Sequence, residues 1–431
     1  MRWPRALAIS GPVNAKRQSP RAQTLLEGQV RDVTDAGDAV VETARGIVMA
    51  RGGLPAERVR IALDASRRGV LRGVTVAILE ASPARIAPTC ALAERCGGCP
   101  LMSMQLDAQR QLKLARVRRA VSGLSRAAVD VTLERVGDAF GYRRRARLAF
   151  ACKGHAPVLG YHAHASRNLI DVNACPVLEP NLERALALLR ERLLPALTGS
   201  GEIELSAIDA ERVVADVHCD SAVPEASYRA AEALAQLAPL AQVALRVADG
   251  APAQFGEPAT SAAGAFSQVN TTVNARLCDL VLELADARDA NVLELYAGQG
   301  NFTLQLAAQA ASLLAVESHP VAANSCRENL RGHSYARARV LEAQVSAACI
   351  RDRYDVIVLD PPRAGAAELA AIAQRTRAQR VVYVSCHMTT LGRDLRSLHE
   401  SGFELERAHA LDMFPQTGHV EAVVRMRRIA S

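Results

Sequence analysis

The stretch "VVYVSCHMTTLGRDL" (381–395) ends a β-branched, apolar run on Cys386 and then turns into a helical pattern. A thiol at that point is either a small buried apolar group or, at the mouth of a strand, a nucleophile or ligand. In "LELYAGQGNFT" (293–303), Gly298 and Gly300 stand where a first strand would turn into a helix. Glycines there let backbone amides approach a bound ligand. Glu317 closes the next apolar run, 19 residues after Gly298, a position from which a carboxylate reaches the ribose hydroxyls of a nucleoside. A third set lies far from these: Cys90, Cys96 and Cys99 in "CALAERCGGC", with Cys175 of "NACPVLEP" as a fourth. Four thiolates so spaced suit an iron-sulfur cluster or a tetrahedral zinc, and spacing alone leaves both open.

These groups need elements to carry them. "NVLELYAG", "LLAVE", "YDVIVLDPP" and "RVVYVSC" are continuous apolar runs separated by helical stretches, the pattern of strands buried on both faces of a parallel sheet. Asp360 in "LDPPR" then falls at the carboxyl edge where open α/β sheets bind ligands. Thr303 occupies the place of the third glycine of a dinucleotide fingerprint, so Tyr296, Asn301 and Asp360 fit the adenosyl cofactor of a methyltransferase better. The sequence predicts a final strand, "HVEAVVRMRR", at the sheet edge, paired with "FELERAHAL". Upstream, alternating bursts between about Arg21 and Glu80 predict a small antiparallel barrel. Residues 104–123 carry helical periodicity, with Arg and Lys expected on the outer, polar side.

At 431 residues the chain exceeds one ordinary core, and its formal net charge of +7 favours a polyanionic partner. "RVRRAV" (116–121) and "YRRRAR" (142–147) concentrate that charge, making Arg143, Arg144, Arg145 and Arg147 candidates for phosphate contacts. No apolar run is long enough to cross a bilayer. Ten cysteines without a secretory signal point to a reducing, cytoplasmic setting and to ligands or catalysts instead of disulfides.

With "FSQVN" (266–270), "ELYAGQGNFT", "AVE", "LDPPR", "YVSC" and "LDMFPQTGHVE" all in order, the chain resembles the bacterial 23S rRNA (uracil-5-)-methyltransferases from about residue 24 to its end. The resemblance implies an α/β fold: a Rossmann-like class I methyltransferase domain (261–431), preceded by a small OB-like TRAM barrel (23–82) that binds RNA and a central α+β domain (83–260). Residues 1–22 are expected to be a disordered basic tail. It implies S-adenosylmethionine held by Gln268, Tyr296, Asn301, Glu317 and Asp360, a nucleophile at Cys386 and a base at Glu421. It further implies a [4Fe-4S] cluster on Cys90, Cys96, Cys99 and Cys175, and a monomer acting on RNA, 23S rRNA first. Two departures stand out: His387-Met388 where the family often has Asn-Pro, and Ala343 or Gln344 where it has Asn or Asp.

The implied chemistry explains the residue types. Uracil C5 is a weak nucleophile until a thiolate adds at C6, after which a base must strip the C5 proton and release the thiol. Such a base works best with a raised pKa. The target base must leave its stack, and Phe266 is a candidate to pack against it. His387 and His419 are expected to be structural. A cytosine-5 enzyme or a tRNA enzyme would share this logic, and a noncatalytic RNA-binding protein would not need Cys386 and Glu421.

Overall fold

The computed structural model describes residues 24–64, 69–152, 156–257, 268–333, 335 and 337–429. The basic tail and Phe266 fall outside these. The chain opens with β1 (Leu25–Val33), β2 (Asp38–Thr43), β3 (Gly46–Arg51), β4 (Arg58–Leu63) and β5 (Leu71–Glu80), closed into a barrel in the order β1-β2-β3-β5-β4. Its alternating residues Val30, Val41, Val48, Val59 and Ile61 fill the interior. The buried carboxylate of Glu57 ties the barrel to residues 82–85, accepting from the Leu54 and Ser82 amides and from both arms of the Arg85 fork.

After the cysteine loop come α1 (Leu106–Ala120) and β6 (Val131–Glu134). A second sheet is then built from β7 (Arg145–Cys152), β8 (Val158–His162), β9 (Leu169–Asp171), β10 (Gly199–Ala207), β11 (Val213–Cys219), β12 (Leu240–Val247) and β13 (Ala253–Gly256). Its order is β13-β12-β11-β10-β7-β8-β9. Two helices, α2 (Pro180–Leu188) and α3 (Glu225–Leu234), bury their leucines and alanines against it.

The last unit alternates α4 (Thr271–Ala285), β14 (Asn291–Leu295), α5 (Thr303–Gln309), β15 (Ser312–Glu317), α6 (Pro320–Arg331), β16 (Ala338–Glu342), β17 (Val356–Leu359), α7 (Leu369–Thr376), β18 (Arg380–Ser385) and α8 (Met388–Glu400). It closes with β19 (Phe403–Leu411) and β20 (Glu421–Arg428). The sheet order is β16-β15-β14-β17-β18-β20-β19-β6. The pairs among β14 to β18 are parallel, as the continuous apolar runs require.

Three expectations need correction. Strand β20 is no edge strand: it lies between β18 and β19, and its Ala422-Val423-Val424 run is wholly buried. Helix α1 turns only part of its cations outward: Arg118 and Arg119 are exposed, but Lys113 and Arg116 face into the protein. Finally, α1 and β6, although upstream in sequence, belong to the core of the last unit. Leu114, Val117 and Val131 pack there with Leu293, Ile357 and Tyr383, and β6 runs parallel to β19.

The Arg clusters are also largely spent within the protein. Arg145 and Arg147 pair with Glu204, Arg144 donates to the Ala207 and Ile208 carbonyls, and Arg118 and Arg119 meet Asp130 and Asp32. A strand flanked by carboxylates neutralises its own arginines.

Candidate active site

The residues singled out by chemistry gather at the carboxyl edge of β14, β15, β17 and β18. Because β20 is antiparallel to β18, its first residue lies at that same edge. Ser385 pairs with Ala422, and extending that register by one residue sets Cys386 opposite Glu421. Leu359 pairs with Tyr383, so Asp360 leaves the sheet beside the strand end that bears Cys386. Topology alone thus brings together three groups that are far apart in sequence.

Their electrostatics are mutually consistent. Burial pushes the Cys386 thiol up, the Glu421 and Asp360 charges push the same way, and the hydrogen-bonding guanidinium of Arg363 opposes them. Glu421 is only 4% exposed, and burial together with Asp360 holds its carboxyl well above the ordinary carboxylate range. Asp360 is itself pushed up to about 7 by burial. Two carboxyls this close in low dielectric cannot both ionise readily. Cys386 also lies one residue ahead of His387, which caps α8 by accepting from the Thr390 amide. The helix N-terminus therefore supplies positive potential to the thiol. His387 has the structural part expected of it, and His419 packs edge-on against Phe414.

The glycine turn carries the other half of the site. Tyr296, Gly298 and Gly300 all have positive φ, at 60°, 58° and 97°, a conformation that only glycine adopts freely and that a tyrosine keeps only when its surroundings enforce it. The Glu317 carboxylate accepts from the Gly298 amide at 2.9 Å and the His319 amide at 2.7 Å, fixing the turn against β15. A Cβ at Gly298 would meet nothing within 4 Å, leaving an open cradle in front of the turn. Asn301 makes a reciprocal amide pair with Asn274 of α4, at 3.0 and 3.1 Å. Asn274 was missed from sequence, because nothing local marks a helix residue as the partner of a turn 27 positions on. Gln268 lies on the segment entering α4, two residues before Asn270, whose side chain caps that helix. Of the departures, Ala343 donates its amide to the Glu317 carbonyl and packs against the core of the last unit.

Beneath the turn, Glu294 of β14 is 1% exposed, and neither carboxyl oxygen meets hydrogen-bond geometry among the described residues. Thr303 lies close enough to favour its ionised form, yet burial and the Asp360 charge prevail and push it to about 8.

The four predicted thiols converge, but differently. Cys90, Cys99 and Cys175 pack around Met102, Tyr142 and Val177. Burial, aided by the charges of Cys175, Cys96 and Cys90, pushes Cys99 to about 12, and Cys175 reaches about 11. Cys96 accepts from the Gly98 amide at 3.4 Å and Cys90 from the Leu92 amide at 3.4 Å. Among the described residues no three such side chains surround one point as a single ion requires. Arg143 lies beside Cys99, where its charge favours a thiolate. All four thiols are partly exposed, and as a set of sulfur donors they suit an iron-sulfur cluster or a tetrahedral zinc.

Comparison with known proteins gives a single picture. Residues 259–348 and 346–429 match the model of the tRNA (Uracil-5-)-methyltransferase family. The 23S rRNA (uracil(1939)-C(5))-methyltransferase RlmD of Edwardsiella ictaluri is 34% identical over 414 residues, covering 91% of this chain and 93% of that protein. The same enzyme from Chromohalobacter salexigens is 35% identical, covering 87% and 83%. Among solved structures, the Pyrococcus abyssi tRNA (uracil-54, C5)-methyltransferase, in complex with S-adenosyl-L-homocysteine, superposes with a TM-score of 0.71 at 22% identity, over 93% of this chain and 100% of that one. That likeness gives the class I methyltransferase fold to the last unit.

Proposed function

As a member of the bacterial 23S rRNA (uracil-5-)-methyltransferase family, to which this chain belongs, the protein is an S-adenosylmethionine-dependent RNA uracil-C5 methyltransferase, and we propose that it modifies a uridine of 23S rRNA through a covalent adduct on Cys386. The observation that supports this reading most is the β18–β20 register, which, carried one residue past the Ser385–Ala422 pair, brings Cys386 to face the buried Glu421, whose charge acts on the thiol.

In this reading the Cys386 thiol gives its proton to water under the influence of Arg363 and the α8 N-terminus, and its sulfur adds to uracil C6. The electron pair displaced from the C5–C6 bond makes C5 an enolate carbon able to accept a methyl group. S-adenosylmethionine, when bound, supplies that methyl as the electrophilic carbon of a sulfonium. Glu421 then takes the C5 proton, and the electron pair of that C–H bond expels the sulfur and regenerates the thiolate. Burial suits Glu421 to the task, because a carboxylate with raised proton affinity is the stronger base. Asp360, beside both groups, tunes that affinity. Glu317, Tyr296, Asn301 and Gln268 would line the cradle, with Glu317 both fixing the glycine turn and facing ribose hydroxyls.

Cys90, Cys96, Cys99 and Cys175 would hold a [4Fe-4S] cluster, whose contribution is to tie the 90–99 loop to the 175 turn. The protein would then be brown as isolated, with a visible absorbance that dithionite bleaches; stoichiometric zinc without iron would exclude this. The central reading is tested with labelled methyl donor and a 23S rRNA fragment. Cys386→Ala should bind S-adenosylhomocysteine but form no 5-methyluridine, whereas Glu421→Gln should accumulate a protein–RNA adduct on denaturing gels. Unchanged turnover in either variant would reject its assigned role.

A further inference from the structure

Helix α1 buries two faces: Leu114 and Val117 pack into the core of the last unit, and a second face, which is polar, is buried as well. Gln109, Lys113 and Arg116, at i, i+4 and i+7, are 1%, 1% and 8% exposed, and each reaches the chain just before Glu421. Gln109 and Gln416 exchange hydrogen bonds, side chain to side chain and backbone amide to side chain, both at 2.9 Å. Lys113 meets the Asp412 carboxylate and donates to the Phe414 carbonyl at 3.0 Å. Arg116 donates to the Gly418 carbonyl, to the Val33 carbonyl and to Asp35 at 2.8 Å. The same segment is held from its other side by the Tyr142 hydroxyl on the Pro415 carbonyl and by the Leu101 amide on the Gln416 carbonyl, both at 3.0 Å.

Residues 412–420 have no helix or strand ladder of their own. Their backbone groups need outside partners, and α1 provides them one helical turn at a time. A buried polar face of this kind is no more stabilising than an apolar one of equal volume, so stability does not explain it. Each of its three polar residues has a bond on one segment, and that segment leads into Glu421. Gly418 adds a second observation: a Cβ there would stand 2.7 Å from the Thr34 carbonyl and 2.8 Å from that of Asp35, so the barrel turn rests directly on the chain three residues ahead of Glu421.

We propose that Gln109, Lys113 and Arg116 are positioning residues that set the Glu421 carboxyl against Cys386, with Arg116 making the barrel part of that splint. The inference rests on Glu421 being the base. It makes the resolution of the RNA adduct, more than its formation, depend on residues of α1 and on the seating of the barrel.

The test uses the full-length protein, a 23S rRNA fragment and two mild variants, Arg116→Lys, which keeps the charge but loses the fork, and Gln109→Met. S-adenosylhomocysteine binding checks folding, and if Arg116→Lys fails it, Gln109→Met decides. Quenched-flow gels should show adduct forming at nearly the wild-type rate and resolving about ten- to a hundredfold more slowly, the scale of a displacement near 1 Å. A second readout does not require Glu421 to be a base: the pH dependence of Cys386 alkylation, followed by peptide mapping. Cys386 is faced by Glu421 and Asp360 against Arg363, so moving Glu421 away should lower the alkylation midpoint, as Glu421→Gln should. Formation and resolution slowing in parallel, or a wild-type alkylation profile in both variants, overturns the splint. If instead Glu421→Gln resolves the adduct normally, the base assignment fails, and the splint stands only if the alkylation midpoint still moves in both α1 variants.

Discussion

Replacing Glu294 with glutamine should make the protein more stable, and increasingly so as pH rises. Glu294 is buried in β14, where burial and the Asp360 charge outweigh the nearby Thr303 hydroxyl, and its carboxyl is pushed from an ordinary 4.5 to about 8. A raised acid binds its proton more tightly when folded. Below about pH 4 the folded and unfolded chains are both protonated there and the group has no effect. Between that point and about pH 8 the unfolded chain ionises while the folded one does not, and stability falls with pH. At about 1.4 kcal/mol per pH unit the whole interval has a ceiling of about 5 kcal/mol, and water entry and relaxation should leave about 2–4 kcal/mol. Glutamine cannot ionise, so the variant escapes this loss. Calorimetry of both proteins at pH 5 and pH 8 isolates the effect, because any packing difference between acid and amide is common to both. The transition of the α/β core should separate by roughly 5–15 °C more at pH 8 than at pH 5. A separation independent of pH would refute the reasoning, meaning that Glu294 is ionised in the folded protein or solvated by a route the geometry does not reveal.

Other consequences arise from individual contacts. Asn274→Ala removes the partner of Asn301 and should raise the KM for S-adenosylmethionine several-fold with little change in kcat, measurable alongside S-adenosylhomocysteine affinity by calorimetry. Arg145→Ala leaves Glu204 of the central sheet with Arg147 as its remaining ion-pair partner and should lower stability by about 1 kcal/mol, while leaving the salt dependence of RNA binding at its wild-type slope. Glu57→Gln removes the buried charge opposite Arg85 and should cost the barrel about 3–5 kcal/mol, seen as faster hydrogen exchange in residues 25–63 with the α/β core unchanged.

The edge that carries the candidate site was legible because its signals are local. An apolar run that stops at a thiol, a glycine pair after a strand and an acid at the end of the next strand each carry their meaning within a few residues. What assembles them is the order of strands, and there the sequence misled in one place. "HVEAVVRMRR" reads as an edge strand from its flanking charges, yet Arg425 pairs with Glu406 on the neighbouring strand, which lets β20 sit inside the sheet. That insertion is what brings Glu421 to Cys386. Similarly, Arg145 and Arg147 read as phosphate ligands until β10 is placed beside β7 and presents Glu204 to both. A charge is assigned to solvent by default whenever its partner lies on a strand whose neighbour is not yet known.

Helix α1 shows the same limit in its strongest form. Periodicity assigns a helix its inner face on the premise that inward means apolar, so a helix with Gln109, Lys113 and Arg116 on one face and Leu114 and Val117 on another is turned to put the cations outside. The premise fails when the partner of the helix is a segment without ladder bonds of its own, because such a segment offers the interior carbonyls and a carboxylate. Asp412, Phe414 and Gly418 are some 300 positions from α1, and no local statistic links them. The physical signature that does survive in sequence is negative: a long helix, rich in donors, whose apolar residues are too few to bury it. In a chain that also carries an irregular, proline- and glycine-containing motif ahead of a proposed catalytic residue, such a helix is better read as the scaffold of that motif than as a solvated surface.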